Sequence, residues 1–390
     1  MNKTNNIPTL RFPEFKDNWE MKKLGEVAEL TSSKRVYAND YVSMGIPFYR
    51  GKEITELKEN KSPSDILYIS ENAYKNFKKT SGVPQINDLL ITAVGTLGNI
   101  LTIRNNNPFY FKDGNLIWLR KVNQISSFLE IVLYFNFKEI EKSAIGSSQK
   151  ALTMIELRKL SLSFPTLAEQ TKIANFLTAV DEKIQALKKK KSLLEKYKKG
   201  LMQKLFSQTL RFKDEHGKNF GDWEVKKLGN CLDYIQPTKY LVESTEYDDK
   251  YITPVLTAGK TFILGYTNEK QGIFQESLPV IIFDDFTTAT QFVDFPFKAK
   301  SSAMKILVAK ENINIKFIYE AMQITKYEIG GHERHWISKF TQIEISLPSL
   351  TEQTKIADFL TAIDEKIMNN KVQITKMEIW KKGLLQQIFV

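Results

Sequence analysis

Apolar residues recur at spacings that alternate between four and three from Ile173 through Leu177, Val180, Ile184, Leu187, Leu194, Leu201 and Leu205. The same rhythm returns from Ile356 through Leu360, Ile363, Ile367, Ile374, Met377, Leu384 and Ile388. Such a heptad seam predicts two long helices that pair through their apolar stripes. Thr166-x-x-Glu169 and Ser349-x-x-Glu352, each behind a proline, read as capping boxes that start them. The interruptions differ between the copies: Lys191 stands where the second has Ile374, and Asn370 where the first has Leu187. That favours pairing of the two copies with each other in one register. About 40 residues at the helical rise make a rod of roughly 60 Å. Shorter patterns predict strands at Asp88–Val94, Leu116–Leu119, Pro279–Phe283 and Met304–Val308, and helices at Phe128–Lys142 and Lys316–Tyr327. The fold class is therefore α+β, with mixed α/β regions between long helices.

The pattern is written twice. Pro165–Ala174 returns as Pro348–Ala357, and Asp181-Glu182-Lys183-Ile184 as Asp364-Glu365-Lys366-Ile367, both at an offset of 183. Lys199-Gly200-Leu201 returns as Lys382-Gly383-Leu384. Leu10-Arg11-Phe12 pairs with Leu210-Arg211-Phe212, and Trp19-Glu20 through Gly25 with Trp223-Glu224 through Gly229, at an offset of 204 at the tryptophan. The order is short motif, variable region, helix, then the same again, a circular repeat. It divides the chain into 1–164, 165–206, 207–347 and 348–390. Residues 26–150 and 230–335 share no run that aligns, and a common scaffold with unlike inserts suits two different specificities.

Composition narrows the function. With 390 residues and 45.1 kDa the chain has room for two domains. No run of about 18 apolar residues occurs, and no apolar leader follows Met1, so a cytoplasmic, non-membrane protein is expected. One cysteine, Cys231, and three histidines leave no disulfide and no Cys/His zinc cluster, so neither metal nor cofactor is expected. The net charge of +11 suggests a polyanionic partner. Its excess lies in the connector: residues 165–229 hold 15 basic and 8 acidic side chains, whereas 231–335 hold 11 and 14.

The proline-led Leu-x-Glu-Gln-x-x-Ile-Ala opening of each long helix, and the Trp-Glu-x-x-x-Leu-Gly segment ahead of each variable region, resemble the specificity subunit of Type I restriction-modification systems. The resemblance spans essentially the whole chain in the right order. It implies two target recognition domains on an antiparallel helix pair, with residues 26–150 reading one half of a bipartite duplex DNA site and 230–335 the other. It also implies docking of two modification subunits that carry S-adenosylmethionine and methylate adenine, and of restriction (motor-nuclease) subunits for cleavage. On that reading this chain is not itself an enzyme. A coiled-coil scaffold whose globular parts bind protein is the alternative.

Asn106-Asn107-Pro108-Phe109 lacks the second proline of an adenine-methyltransferase element, and Gly95-Thr96-Leu97-Gly98 is too short for a nucleotide fingerprint. Asp222 and Glu224 are spaced to share a magnesium ion, but the other copy, Asp17 and Glu20, keeps a different spacing. Candidate DNA contacts come from residue types that reach base edges and phosphates. In the first region they are Lys34, Arg35, Arg50, Thr96, Gln149 and Lys150. In the second they are Lys260, Tyr266, Thr287, Thr288, His332, Arg334 and His335, the last three in the Gly330–Trp336 cluster. For each, the plain alternative is a solvated loop residue. Lys188–Lys191 reads as a wet helix face that could also meet spacer phosphates.

Overall fold

The computed structural model describes residues 8–59, 61–142, 144, 150–257, 259, 261–325 and 335–389. The chain forms two compact units: Met1–Ala186 with Ile374–Val390, and Leu187–Gln373. Among the described residues no helix is long and apolar enough to cross a membrane.

Unit 1 holds β1 (Glu20–Lys23), β2 (Glu29–Thr31), β3 (Tyr41–Val42), β4 (Ile46–Tyr49), β5 (Leu67–Ile69), β6 (Leu89–Thr92), β7 (Ile100–Thr102), β8 (Tyr110–Phe111), β9 (Leu116–Arg120) and β10 (Ser161–Phe164). An antiparallel sheet runs β2-β9-β6-β7, and a second runs β3-β5-β4-β8 with β4 and β8 parallel. The ribbon β1-β10 joins the tryptophan motif to the start of the long helix Leu167–Phe206. The strands read as expected from their β-branched and aromatic residues. The expected helix Phe128–Lys142 is instead two, Ser126–Phe135 and Phe137–Lys142. They part at Asn136, whose side-chain amide donates to the Val132 carbonyl, a local bond by which Asn competes with the helical ladder.

Unit 2 holds β11 (Glu224–Lys227), β12 (Leu232–Ile235), β13 (Thr253–Leu256), β14 (Ile263–Thr267), β15 (Val280–Asp284), β16 (Thr290–Val293), β17 (Lys298–Ala299), β18 (Met304–Ala309) and β19 (Glu344–Leu347). Its main sheet runs β12-β18-β15-β16, its second β14-β13-β17, and its ribbon is β11-β19. Strand for strand, the main sheet repeats β2-β9-β6-β7. The helix Ile315–Ile324 packs on it, and the second long helix is Leu350–Ile388.

Within each unit the long-helix segments run antiparallel. In unit 1, Ile388 lines one small cavity with Glu169 and Ile173, while Lys381 meets Asp181 at 2.6 Å. In unit 2, Phe206 lies beside Trp223, whose indole N–H donates to Glu352, while Lys198 meets Asp364 at 2.7 Å. The end of a long helix completes each core. Phe389 packs on Trp19 and Phe128, and Phe206 packs on Trp223 and Phe317. These two aromatic trios are related by the repeat.

The glutamates of the expected capping boxes do something else. The Glu169 amide still donates to Thr166 Oγ1, at 3.4 Å, but its carboxylate is buried and takes two bonds of 2.7 Å from Arg11. Glu352 is held the same way by Arg211, with Trp223 as a further donor. A fully buried carboxylate requires a charged, forked partner more than a helix end requires a cap. The neighbouring glutamines close the frame. Gln170 accepts from Ile125 N and donates to Pro165 O, and Gln353 accepts from Asn314 N and donates to Pro348 O.

Candidate nucleic-acid interface

The same backbone bonds build one loop assembly in each unit. In unit 1 the β6–β7 hairpin turns through Ala93–Asn99. Thr92 Oγ1 accepts from Asn99 N and donates to Thr96 O, which ties the turn to its own base. Gly98 is left-handed at φ 73°, and a Cβ there would lie 1.7 Å from the Phe137 ring, so only glycine fits. Ala93 N donates to Asn115 O in the β8–β9 turn, and Leu152 N donates to Ala93 O. The bridge Val94–Ala151 then lays the segment after Lys150 against the hairpin.

In unit 2 the β15–β16 hairpin turns through Asp285–Ala289. Asp284 Oδ1 accepts from Phe286 N at 3.0 Å and Thr287 N at 2.7 Å, gathering the tip as the Thr92 hydroxyl does in unit 1. Asp285 N donates to Ala303 O, and His335 N donates to Asp285 O. The bond from Leu152 to Ala93 is thus matched by that from His335 to Asp285, at the helix offset of 183. Strand register agrees: Thr92 pairs with Leu116, and Asp284 with Met304. Each unit therefore presents a hairpin tip beside a chain segment that returns into the ribbon and long helix.

The sequence candidates fall unevenly on this assembly. Thr96 is exposed on the first tip with exposed Lys150 close by, and Thr287 is exposed on the second. Arg35 is exposed, and its Nε donates to Asp113 in the β8–β9 turn that also supports Ala93. Asp113 raises the Arg35 pKa, chiefly through that hydrogen bond. The Lys34 side chain is exposed while its backbone N donates to Tyr110 Oη. Tyr266 lies half-buried on β14, away from the hairpin in the register.

Three placements run against the expectation of direct contact. Arg50 is engaged by the fully buried Glu53, at 2.5 Å, and by Asp65. A buried carboxylate left without it would be an unpaired interior charge, so this guanidinium serves the fold. His335 is 1% exposed and Thr288, left-handed at φ 59°, is 3% exposed, so both face inward at the hairpin base. Gln149, Lys260, His332 and Arg334 lie outside the described residues. Sequence reading missed Phe286, a half-exposed aromatic at the second tip (50%). The signal was available in Asp284-Asp285-Phe286-Thr287-Thr288, where paired acids ahead of threonines mark a side-chain-capped turn.

The profile of the Type I restriction modification DNA specificity domain matches residues 16–196 and 221–377. The Type I restriction enzyme EcoR124I/EcoR124II specificity subunit of Escherichia coli is 54% identical over 126 residues, 31% of this chain and 31% of its own length. The Type I restriction enzyme MjaIX specificity subunit of Methanocaldococcus jannaschii is 24% identical across 95% of this chain and 92% of its own. In fold, the chain is similar to the crystal structure of a Type-I restriction-modification system S subunit from M. genitalium. That match has a TM-score of 0.68, 16% identity, and coverage of 98% of this chain and 99% of that one. Two unlike recognition regions on one repeated frame, matched twice by the profile, place the chain in the family of Type I restriction-modification specificity subunits, which recognise DNA sequence.

Proposed function

We propose that the two hairpin assemblies read the two halves of a bipartite, asymmetric duplex site, one half per unit. The observation that carries this reading is the pair of equivalent tips with different exposed side chains: Thr96 near Lys150 in one, Phe286 and Thr287 in the other. Equal backbone with unequal side chains is what two different base sequences require, since base edges are told apart by donor, acceptor and apolar groups. Lys34 and Arg35, and beyond the described residues Gln149, Lys260, His332 and Arg334, supply further base or phosphate contacts. The long helices shared by both units set an unread spacer, and their lysine run Lys188–Lys191 neutralises spacer phosphates.

On this reading the chain docks two modification subunits, which bind S-adenosylmethionine and methylate adenine, and restriction subunits join for cleavage. The chemistry belongs to those partners, and this chain supplies the address. The test is methylation mapping of a genome in cells that carry the chain with its cognate modification subunit, against cells without the chain. Methyladenine at one bipartite asymmetric motif, present only with the chain, is the expected result. An assembled complex that adds no new motif contradicts it.

A further inference from the structure

The two hairpins stand on chemically opposite foundations. Register places Ala93 and Ile117 of unit 1 at the positions that Asp285 and Lys305 take in unit 2. All four are buried. Asp285 and Lys305 are each 2% exposed, with Oδ2 and Nζ 3.6 Å apart. Lys305 Nζ also lies 5.1 Å from the centre of the Tyr234 ring. Apolar residues of similar volume generally stabilise an interior as well as a buried ion pair does, and unit 1 uses them here. The sheet therefore does not need the charges.

Asp285 makes one bond that Ala93 has no atom to make. Both residues donate N–H to a turn carbonyl and accept a returning N–H at their own carbonyl. Asp285 alone also accepts Trp336 N at Oδ1, at 2.9 Å. Trp336 is fully buried against Phe283 and Phe340, so its backbone is a fixed anchor. Lys305 Nζ faces the other oxygen of the same carboxylate, so the buried aspartate has a cationic partner on one side and the Trp336 amide on the other. Directly before it, Asp284 gathers the amides of Phe286 and Thr287. Tip, ion pair and returning segment are thus one bonded unit.

The geometry points to Asp285 and Lys305 as positioning residues for DNA reading: the pair locks the Phe286–Thr287 tip to the segment that re-enters at His335–Trp336. It thereby sets how strictly one half of the site, and only one, is discriminated. This rests on the reading of the hairpins as DNA-reading elements. Neither side chain is exposed to touch a base, so the effect passes through the tip.

The test uses the full chain in complex with its modification subunits, and measures methylation of three duplexes: the cognate site, one altered in the first half, and one altered in the second. Asp285→Ala with Lys305→Ile imports the residues of unit 1. The assembled variant is expected to keep first-half discrimination and to lose second-half discrimination by about 10- to 100-fold, the scale on which small misplacements act. Asp285→Asn with Lys305→Met, whose amide oxygen can still take the Trp336 N–H, is expected to recover most of it. Unchanged second-half discrimination in the assembled Ala/Ile variant overturns the inference, as does an equal loss at both halves. Should that variant not assemble, Asp285→Leu with Lys305→Met fills the site without charge and is read by the same two outcomes. A wild-type complex with no sequence preference would sink the DNA-reading function itself, and so is distinguishable from failure of the pair.

Discussion

The helices that dock the two recognition regions onto the long helices begin alike and then part company. Gln170 holds Ile125 N ahead of Ser126–Phe135, and Gln353 holds Asn314 N ahead of Ile315–Ile324. This equivalence sets Ser127 and Ile131 opposite Lys316 and Glu320. Both units keep a Lys–Asp pair between the long helices, Lys381–Asp181 and Lys198–Asp364. Unit 2 adds a buried Glu320 that meets Lys198 at 2.9 Å and Lys316 at 2.8 Å, with Lys316 also 2.9 Å from Asp364. Together with Asp285–Lys305, this fills with charge what unit 1 fills with the uncharged Ser127, Ile131, Ala93 and Ile117. The backbone bonds, the aromatic trio and the buried Arg–Glu clasp recur, while the infill between them is free to be uncharged or ionic.

The largest effects are expected at the shared clasp. Glu169→Ala in unit 1 and Glu352→Ala in unit 2 each remove one partner of a buried ion pair, so each is expected to cost about 3–5 kcal/mol in its own unit. The second is expected to cost about 1 kcal/mol more, because Trp223 Nε1 loses its acceptor as well. Hydrogen exchange resolved by unit, with urea unfolding, reads both numbers. Next in size is the unlike infill. Glu320→Leu alone leaves Lys198 and Lys316 sharing Asp364, and is expected to destabilise unit 2 by about 3 kcal/mol. Adding Lys316→Met is expected to restore most of that, since apolar replacement of a whole buried pair is near neutral. Additivity of the two changes in urea melts would contradict this.

Gly98→Ala is expected to cost at least about 2 kcal/mol and to loosen the first tip alone. It adds left-handed strain to a Cβ placed within the Phe137 ring, and methylation at the first half-site reports it. The charge cluster also gives unit 2 an acid sensitivity. Burial opposes ionisation of Asp364, but hydrogen bonds from Lys198 and Lys316 outweigh it and hold its pKa below the usual carboxylate value. A depressed folded-state pKa gives stability that is complete above the unfolded value of about 4 and is lost as pH falls through the folded one. An acid titration of unit 2 is expected to flatten in Asp364→Asn. The smallest stability effects belong to the tips. Thr96→Ala and Thr287→Ala are expected to stay within about 0.5 kcal/mol of wild type in melts. Each is still expected to relax only its own half-site.

The long helices were legible because their heptads and their repeated Leu-x-Glu-Gln openings sit at one fixed offset. The common architecture of the variable regions was not. Equivalent positions slide from an offset of 204 at Leu30 and Tyr234, to 188 at Leu116 and Met304, to 183 at Leu152 and His335. Side chains at matched places are opposite in chemistry, as Ile117 and Lys305 are, because the equivalence is carried by backbone bonds. Thr96 could be placed on a turn from its flanking glycines, Gly95 and Gly98. Arg50, His335 and Thr288 were chosen by residue type, which does not reveal a buried Glu53 or an inward-facing hairpin base. The clasp of Arg11 and Glu169 was hidden behind a capping pattern that uses the same spacing.

We propose that one frame, present twice, carries two independent readings. Replacing residues 230–335 with the corresponding region of another family member, and mapping methylation in cells that hold the cognate modification subunits, tests it most directly. The expected result is a motif in which one half changes while the other half and the spacer stay as they were. A motif altered in both halves, or in neither, would contradict it.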